Sequence, residues 1–289
     1  MNKQKIITLA TAVIVVIMAV TGATLAYFKD TDRVSNTFTV GSVEIDLIEQ
    51  ERRFDQDGEV SLGDFTQNKP LYPVVGDVDD DTIEAEYAMP DPDKVSNYVD
   101  KMVSVKNTGS ADAYVRAYIA IPAVLDSDDD AFNNFGPGYG ALRFSLYNPL
   151  KADTNWERQQ ENGDIKRFNT TIDGIAYNVY YADYTEILAP GETTTRFFDG
   201  LYLDKDFDID RVETVDPETG KTVTSYECRV GGSVLEGAEQ FVTADGLKVT
   251  CPVFAVAVQS KGFTGASQAI TAAFGDQYNP WGGAVTNWH

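Results

Sequence analysis

The chain contains a single histidine, and it is His289, the last of the 289 residues. Zinc peptidases bind their metal through imidazole groups, and Ser-His-Asp and Cys-His enzymes need an imidazole as general base. One histidine at that position assembles none of these sites. Carboxylates are abundant, but no pair of them is singled out as the acid and base of a glycosidase. The sequence therefore predicts a non-enzymatic protein, with no catalytic, cofactor-binding or metal-ligating residues.

Basic residues are also scarce, since 23 Lys and Arg stand against 45 Asp and Glu, giving a formal net charge of −22. A surface of this sign repels nucleic acids and anionic lipids, so we expect no nucleic-acid partner. Hydrophobic residues make up 43% of the chain and aromatic residues 11%, which is too much for a disordered acidic chain. The composition indicates a globular protein with an acidic surface.

Cysteine is nearly absent, and the two that occur are Cys228 and Cys251. If they form a disulfide, the crosslink stabilises the fold by about 3 kcal/mol on the chain-entropy model. The alternative is a pair of buried free thiols. The sequence supports the two states equally, because it gives no distance between the sulfur atoms.

The first 26 residues have the order of a secretory signal peptide. Lys3 and Lys5 precede an apolar stretch from Ile6 to Val20, and the small-residue run 21–26 follows. We expect a signal helix that is cleaved between Ala26 and Tyr27, although a stretch of this length also suits a retained membrane anchor. Residues 1–26 hold two lysines and no acid, so a mature chain of residues 27–289 carries 45 acidic and 21 basic groups, a formal charge of −24.

Several motifs resemble those of the TasA and camelysin family of secreted Gram-positive proteins. They are TLA before the cleavage point, YFKDTD at 27–32, NTFTVG at 36–41, VKNTGSADAYVR at 105–116, ILAPGETT at 187–194 and VAVQ at 256–259. The resemblance implies export through a SipW-type signal peptidase and an extracellular location, in a biofilm matrix or on a cell surface. It also implies fibres built from copies of the chain together with other matrix or cell-surface components.

Most of the remaining chain has the pattern of β-strands. Segments rich in Val, Ile, Tyr, Phe and Thr alternate with Gly, Pro, Asn and Asp, which predicts an antiparallel β-sandwich of jelly-roll type. These segments are Met102–Val105, Ala113–Ile121, Leu142–Tyr147, Ile172–Tyr181, Thr195–Leu203, Val223–Val230 and Val249–Gln259. One helix is predicted over Ala266–Phe274, with Gly275 as its C-cap, and we expect it to cover one end of the sandwich.

Long acidic insertions at 50–94 and 125–140 interrupt the strands. Their aspartate runs, 77–81 and 126–130, offer the hard oxygen ligands that calcium prefers. Two further patterns fail as calcium loops: Arg53 occupies the first ligand position ahead of residues 55–58, and the alternating aspartates 204–210 lack the required Gly and Glu. The sequence favours solvated acidic loops, with calcium as the only cofactor alternative.

The segment that follows the cleavage site is the candidate for self-assembly. Its apolar residues are Phe38, Val40, Val43, Ile45 and Leu47, and their alternation changes phase at Gly41, where a bulge restores one buried face. The strand either pairs within its own subunit or, as the family resemblance implies, is donated to a neighbouring sandwich to build a fibre. The alternative functions are a monomeric extracellular adhesin or ligand-binding module and, third, a camelysin-type metallopeptidase.

Overall fold

The computed structural model describes residues 43–57, 59–76, 95–126, 140–146, 155–158, 160–161, 164–165, 167–283 and 285. All of them belong to one compact unit. The predicted signal peptide, the cleavage site at Ala26 and Tyr27, the first assembly residues Phe38 and Val40, and His289 lie outside the described residues. The acidic runs 77–81 and 127–130 lie outside them as well.

The described residues form antiparallel strands and one α-helix. The strands are β1 (Ile45–Phe54), β2 (Val60–Asp64), β3 (Val75–Gly76), β4 (Val95–Ser96), β5 (Val99–Asn107), β6 (Ala113–Pro122), β7 (Leu142–Leu146), β8 (Trp156–Arg158), β9 (Gln160–Glu161), β10 (Asp164–Ile165), β11 (Arg167–Ile172), β12 (Ile175–Tyr184), β13 (Phe198–Leu203), β14 (Phe207–Val215), β15 (Thr222–Val230), β16 (Ser233–Val234), β17 (Val242–Thr243), β18 (Gly246–Leu247) and β19 (Val253–Gln259). The helix is α1 (Ala266–Phe274), and short 3-10 helices span Ala123–Leu125 and Ala238–Phe241.

Two five-stranded sheets make the sandwich. The first has the strand order β2-β1-β5-β13-β7, and the second has the order β11-β12-β6-β19, with β8 also paired to β12. The chain crosses between the sheets after β5, β6, β7, β12 and β13, which is the connectivity style of a jelly roll. The predicted all-β antiparallel sandwich with a minor helix is thereby confirmed.

The core lies between the two sheets, and strand β6 shows why the second sheet is so apolar. Val115, Ala117 and Ile119 point into the sandwich, while Tyr114 and Tyr118 belong to a separate cluster on the outer face. Every residue of β6 is buried. A strand that is buried at every position and apolar at nearly all of them is typical of a sheet that is covered on both sides.

Helix α1 provides that second cover. Its buried residues, Ala266, Ala269 and Ile270, join the outer cluster of the second sheet, and the helix packs on β6, β12 and β19. The predicted bounds are confirmed, and Gly275 closes the helix with φ 89°. Its predicted place is wrong: α1 covers the outer face of a sheet rather than an end of the sandwich, because that face is apolar and needs a partner.

One ion pair lies on this outer face. The Arg116 Nε atom is 2.5 Å from Asp183 Oδ1, and a second guanidinium nitrogen is 2.9 Å from Oδ2. The two side chains are only 4% and 2% exposed, and the guanidinium carbon lies 5.0 Å from the ring centroid of Tyr181. Burial alone would lower the pKa of Arg116, but the hydrogen bonds and charge of Asp183 raise it above its ordinary value.

The first acidic insertion is not wholly a loop. Its beginning forms a hairpin in which residues 50–54 of β1 pair with β2, Phe54 opposite Val60 and Arg52 opposite Leu62. Asp55 serves the connecting turn, because its carboxylate accepts hydrogen bonds from the main-chain nitrogens of residues 57 and 59 at 2.9 and 2.8 Å. The expectation of an uninterrupted loop over 50–94 is therefore wrong at its start.

Candidate assembly surfaces

The second half of the predicted assembly strand lies inside its own subunit. Val43 and Ile45 are 0% and 1% exposed in the sandwich core, and Leu47 packs against that core. Strand β1 pairs with β5 from Ile45 opposite Asn107 to Gln50 opposite Met102. In this single chain Val43, Ile45 and Leu47 have the own-subunit arrangement, so the donated segment proposed below is the part of the chain before Val43.

Strand β1 also leaves one side of the first sheet open. On the side away from β5, β2 pairs only with residues 50–54, and the main-chain nitrogen of Phe65 extends the contact to Glu49. Residues 45–48 have no strand partner on that side among the described parts of the chain. The second sheet ends nearby, because its terminal strand β19 lies against β1 across the sandwich.

Strand β19 is an unusual edge. It pairs with β6 from Val253 opposite Ile119 to Gln259 opposite Ala113, and within the described ranges no strand pairs with its other side. Natural edge strands are protected by charges, prolines or short length. Here residues 253–258 are uncharged and all buried. Buried main-chain N–H and C=O groups need partners, so this edge is suited to receive another strand.

A charged cluster occupies the interior of the sandwich close to β1. Lys101 Nζ lies 2.5 Å from Glu49 Oε1, and Lys69 Nζ lies 2.5 Å from Glu51 Oε2. The main-chain nitrogen and the hydroxyl of Thr66 each donate to Glu51 at 2.9 Å. Burial alone would raise the pKa of Glu51, but Lys69 and Thr66 together lower it. Each charge is paired with one of opposite sign and is hydrogen-bonded, which is typical of a cluster that stabilises the fold.

The two cysteines are free thiols, and both are buried in the sandwich core. Burial raises the pKa of Cys251 to about 12, and the nearby carboxylates of Asp126 and Glu49 act in the same direction, against Lys101. Burial also raises the pKa of Cys228. A thiol in this state is protonated at neutral pH and is a poor nucleophile. Of the two predicted alternatives, the structure has the free pair and no disulfide.

The carboxylates that were considered as calcium ligands are engaged elsewhere or dispersed. Asp204 is buried and accepts a hydrogen bond from Arg143 Nε at 2.7 Å, whereas Asp208 and Asp210 lie on an exposed strand. Asp126 accepts hydrogen bonds from Asn178 and from the Tyr180 hydroxyl at 2.8 and 2.6 Å. Within the described part of the chain, no three His, Cys, Asp or Glu side chains are grouped to hold a metal ion.

A long hairpin extends beyond the sandwich, and we call β14 and β15 with their connecting turn the arm. Its nine residue pairs run from Phe207 opposite Val230 to Val215 opposite Thr222. The pairs near Phe207 reach the core, but the rest of both strands is exposed. The predicted turn at residues 216–220 closes the arm, with Gly220 at φ 64°. The sequence pattern predicted β15 but not β14.

In the part of the chain that the structure describes, no helix is both long enough and apolar enough to cross a bilayer. No protein-family model, no curated protein and no solved structure matches this chain.

Proposed function

We propose that this chain is a secreted structural protein that forms or decorates extracellular fibres of a biofilm matrix or cell surface. In the proposed assembly, residues 27–42 of one subunit add a strand to the sandwich of the next. The observation that carries the proposal is the apolar, buried edge of β19 beside the open half of β1.

The position of Val43 supports an exchange of the segment before it. Val43 is buried in the core, and the strand that follows it, β1, contacts β19 across the sandwich, so Val43 is the anchor of the segment proposed to be exchanged. The same β19 edge exists on every copy. A segment that can pair with the β19 edge of its own subunit can pair with that of a neighbour through the same contacts, which is the principle of domain swapping.

The apolar residues of the segment provide the affinity in this proposal. Phe38 and Val40 each contribute roughly 1.5 to 3 kcal/mol when fully buried, and main-chain pairing with β19 fixes the direction. The repeated contact is head-to-tail, so it generates a filament rather than a closed dimer. The export pattern of residues 1–26 supports delivery outside the cell, with Tyr27 as the first residue of the mature chain.

A non-enzymatic role agrees with the chemistry of the described residues. The buried carboxylates Glu51, Asp126 and Asp183 and the half-buried Glu49 have cationic or hydrogen-bonding partners. Such groups stabilise a fold, whereas a catalytic acid or base needs access to a substrate. We therefore propose no metal, no cofactor and no reaction for this protein.

The test compares the secreted chain starting at Tyr27 with a chain starting at Val43. Electron microscopy and light scattering should show fibres for the first and none for the second, and a peptide of residues 27–42 should bind the shortened chain. Phe38→Asp should also abolish fibres, while Ile187→Asp should not, because Ile187 is 47% exposed on the sandwich.

Fibres of unchanged length and growth rate from the chain starting at Val43 would refute strand donation. Monomers of the full secreted chain at every concentration would instead favour the adhesin or ligand-binding alternative. N-terminal sequencing tests the export step separately, since retention of Met1 in the membrane fraction contradicts cleavage before Tyr27.

A further inference from the structure

The arm has a free strand edge that differs from the β19 edge. Strand β14 pairs only with β15, so the other side of its main chain has no strand partner among the residues the structure describes. Residues 210–215 are all exposed, and Val215 and Val223 are 66% and 47% exposed. At about 3.3 Å per residue, nine pairs give the arm a length of roughly 30 Å.

Only the base of the arm has a third strand, because β16 pairs with Arg229 and Val230 of β15 and reaches no further. The outer part of the arm is a two-stranded ribbon, which is a poor independent structure. Two strands without a covered face are marginally stable in water, and three or more strands are normally needed. A free edge also presents a row of unpaired main-chain donors and acceptors. The arm therefore gains most from a partner that adds strands to β14 in the plane of the ribbon.

The side chains of β14 fit a second copy of β14 in one antiparallel register. When Val212 lies opposite Val212 of the other copy, Arg211 lies opposite Glu213 and Asp210 lies opposite Thr214, each twice because of the two-fold axis. Directly opposed residues share a face of an antiparallel sheet and interact. Within one subunit Arg211 already contacts Glu213 at 2.8 Å, so pairing gives each charge a second partner.

The neighbouring registers place like charges on the axis. A shift that centres the pairing on Asp210, Arg211 or Glu213 sets that residue against its own copy. Like charges that are directly opposed destabilise a strand pair. The register centred on Val212 sets no like charges against each other within β14, and it also sets Ile209 against Val215.

We propose that the arm is a self-association site, where β14 pairs with β14 of a second copy of this chain about a two-fold axis at Val212. The product is an antiparallel sheet with the order β16-β15-β14-β14-β15-β16, in which the short β16 reaches only the base of each arm. This contact goes beyond strand donation, because it uses β14 rather than residues 27–42. It also closes on itself as an isologous dimer.

Charge exchange in the secreted chain tests the pairing. Arg211→Glu opposes Glu to Glu, and Glu213→Arg opposes Arg to Arg, so each variant should dimerise roughly tenfold to thirtyfold more weakly than the original chain. The double variant restores opposite charges and should dimerise like the original. A mixture of the two single variants should form mixed dimers, since each then faces the charge it needs. Native mass spectrometry measures all four.

Crosslinking tests the register. Opposed residues of antiparallel strands have Cα atoms about 4.5 to 5.5 Å apart, which suits a disulfide. Val212→Cys should therefore crosslink to its own copy under mild oxidation. The matched control is Val223→Cys, an exposed valine opposite Thr214 on the same face of β15. Its two copies would be separated by three strand spacings, about 14 Å, across the sheet and by about four residues, roughly 13 Å, along it, which is too far for a disulfide.

The readouts separate this proposal from strand donation. Crosslinked pairs are counted on a denaturing, non-reducing gel whether or not fibres form, and unchanged melting temperatures establish that the exposed substitutions leave the fold intact. Equal crosslinking of the two cysteine variants, or no recovery in the mixture of the single charge variants, would overturn the arm pairing. Selective crosslinking of Val212→Cys together with recovery in the mixture would establish it.

Discussion

The buried ion pair under helix α1 gives the sharpest prediction about stability. Asp183→Asn keeps the size of the side chain but removes the charge that neutralises Arg116. The remaining guanidinium would be held on the covered face of the second sheet, where the two side chains are 4% and 2% exposed. It would keep the ring of Tyr181 and one amide as neighbours, without a counter-charge.

The expected cost follows from this burial. Removing one partner of a buried ion pair destabilises proteins by about 3 to 5 kcal/mol, because the other charge is left uncompensated. At about 2 °C per kcal/mol for a domain at the large end of the usual range, the melting temperature should fall by roughly 6 to 10 °C. Replacing both partners, Arg116→Met with Asp183→Leu, should recover most of the loss, since no charge remains to be desolvated.

Urea unfolding followed by fluorescence and circular dichroism measures these differences through the transition midpoint. The control is Asp245→Asn, which breaks the exposed pair with Lys248 and should cost no more than about 0.5 kcal/mol. If Asp183→Asn cost less than the control variant, water or another acceptor would have to reach Arg116, and the reasoning from burial would be refuted. A double variant as unstable as Asp183→Asn would refute it too.

Further predictions concern the thiols, one carboxylate and the helix. Cys228 and Cys251 should resist alkylation at pH 8 in the native protein and react fully in urea, because burial keeps both thiols protonated. Mass spectrometry measures the alkylation, and rapid labelling of the native protein would contradict this prediction. The pKa of Glu51 is lowered by folding, so its contribution to the free energy of unfolding is present at neutral pH and is lost as the pH falls through the folded pKa. The difference in unfolding free energy between the original chain and Glu51→Gln should therefore shrink between about pH 6 and about pH 3. A difference that stays constant over this range would contradict the prediction. Ile270→Ala should cost about 2 to 5 kcal/mol in urea unfolding, whereas exposed Ser267→Ala should change little; equal effects would contradict the packing of α1 on the sheet.

The sequence pattern predicted the strands that contain runs of apolar residues. The segments around β5, β6 and β19 were found within a few residues of their bounds, because dense Val, Ile, Tyr and Ala runs signal strands wherever they lie. The same apolar runs also indicate that α1 covers the outer face of the second sheet. A strand such as β6 that is buried at every position needs layers on both sides, which the place assigned to the helix did not take into account.

Charged strands were missed for a physical reason. The alternating aspartates 204–210, where β14 begins, were considered only as a calcium loop, which they fail to form, and the residues of β1 after Glu49 were assigned to an acidic insertion. Both are strands because of their partners: β14 pairs with β15, and Arg52 of β1 donates to Asp100 of β5 at 2.8 Å. Pairing between distant segments overrides local propensity, and one sequence does not specify those partners.

The charged cluster and the open edge were beyond prediction for the same reason. Lys101 and Glu49 come from separate strands and meet only because odd-numbered residues of β1 and β5 face the sandwich interior. The β19 edge is visible as an apolar run in the sequence. That no described strand pairs with its second side is a property of the sheet order and has no local signal.

The two proposed contacts have different symmetries, and this difference determines the assembly that they build together. Strand donation is heterologous and repeats without closing, so it extends a fibre along one direction. Pairing of β14 about Val212 is isologous, so it joins two subunits and then stops. If both operate, the arms link subunits of two neighbouring fibres into a pair, and the formal charge of −24 on each mature chain opposes further bundling. Electron microscopy should then show paired fibres for the secreted chain and single fibres for Arg211→Glu, whereas pairs that persist in this variant would mean that another surface joins them.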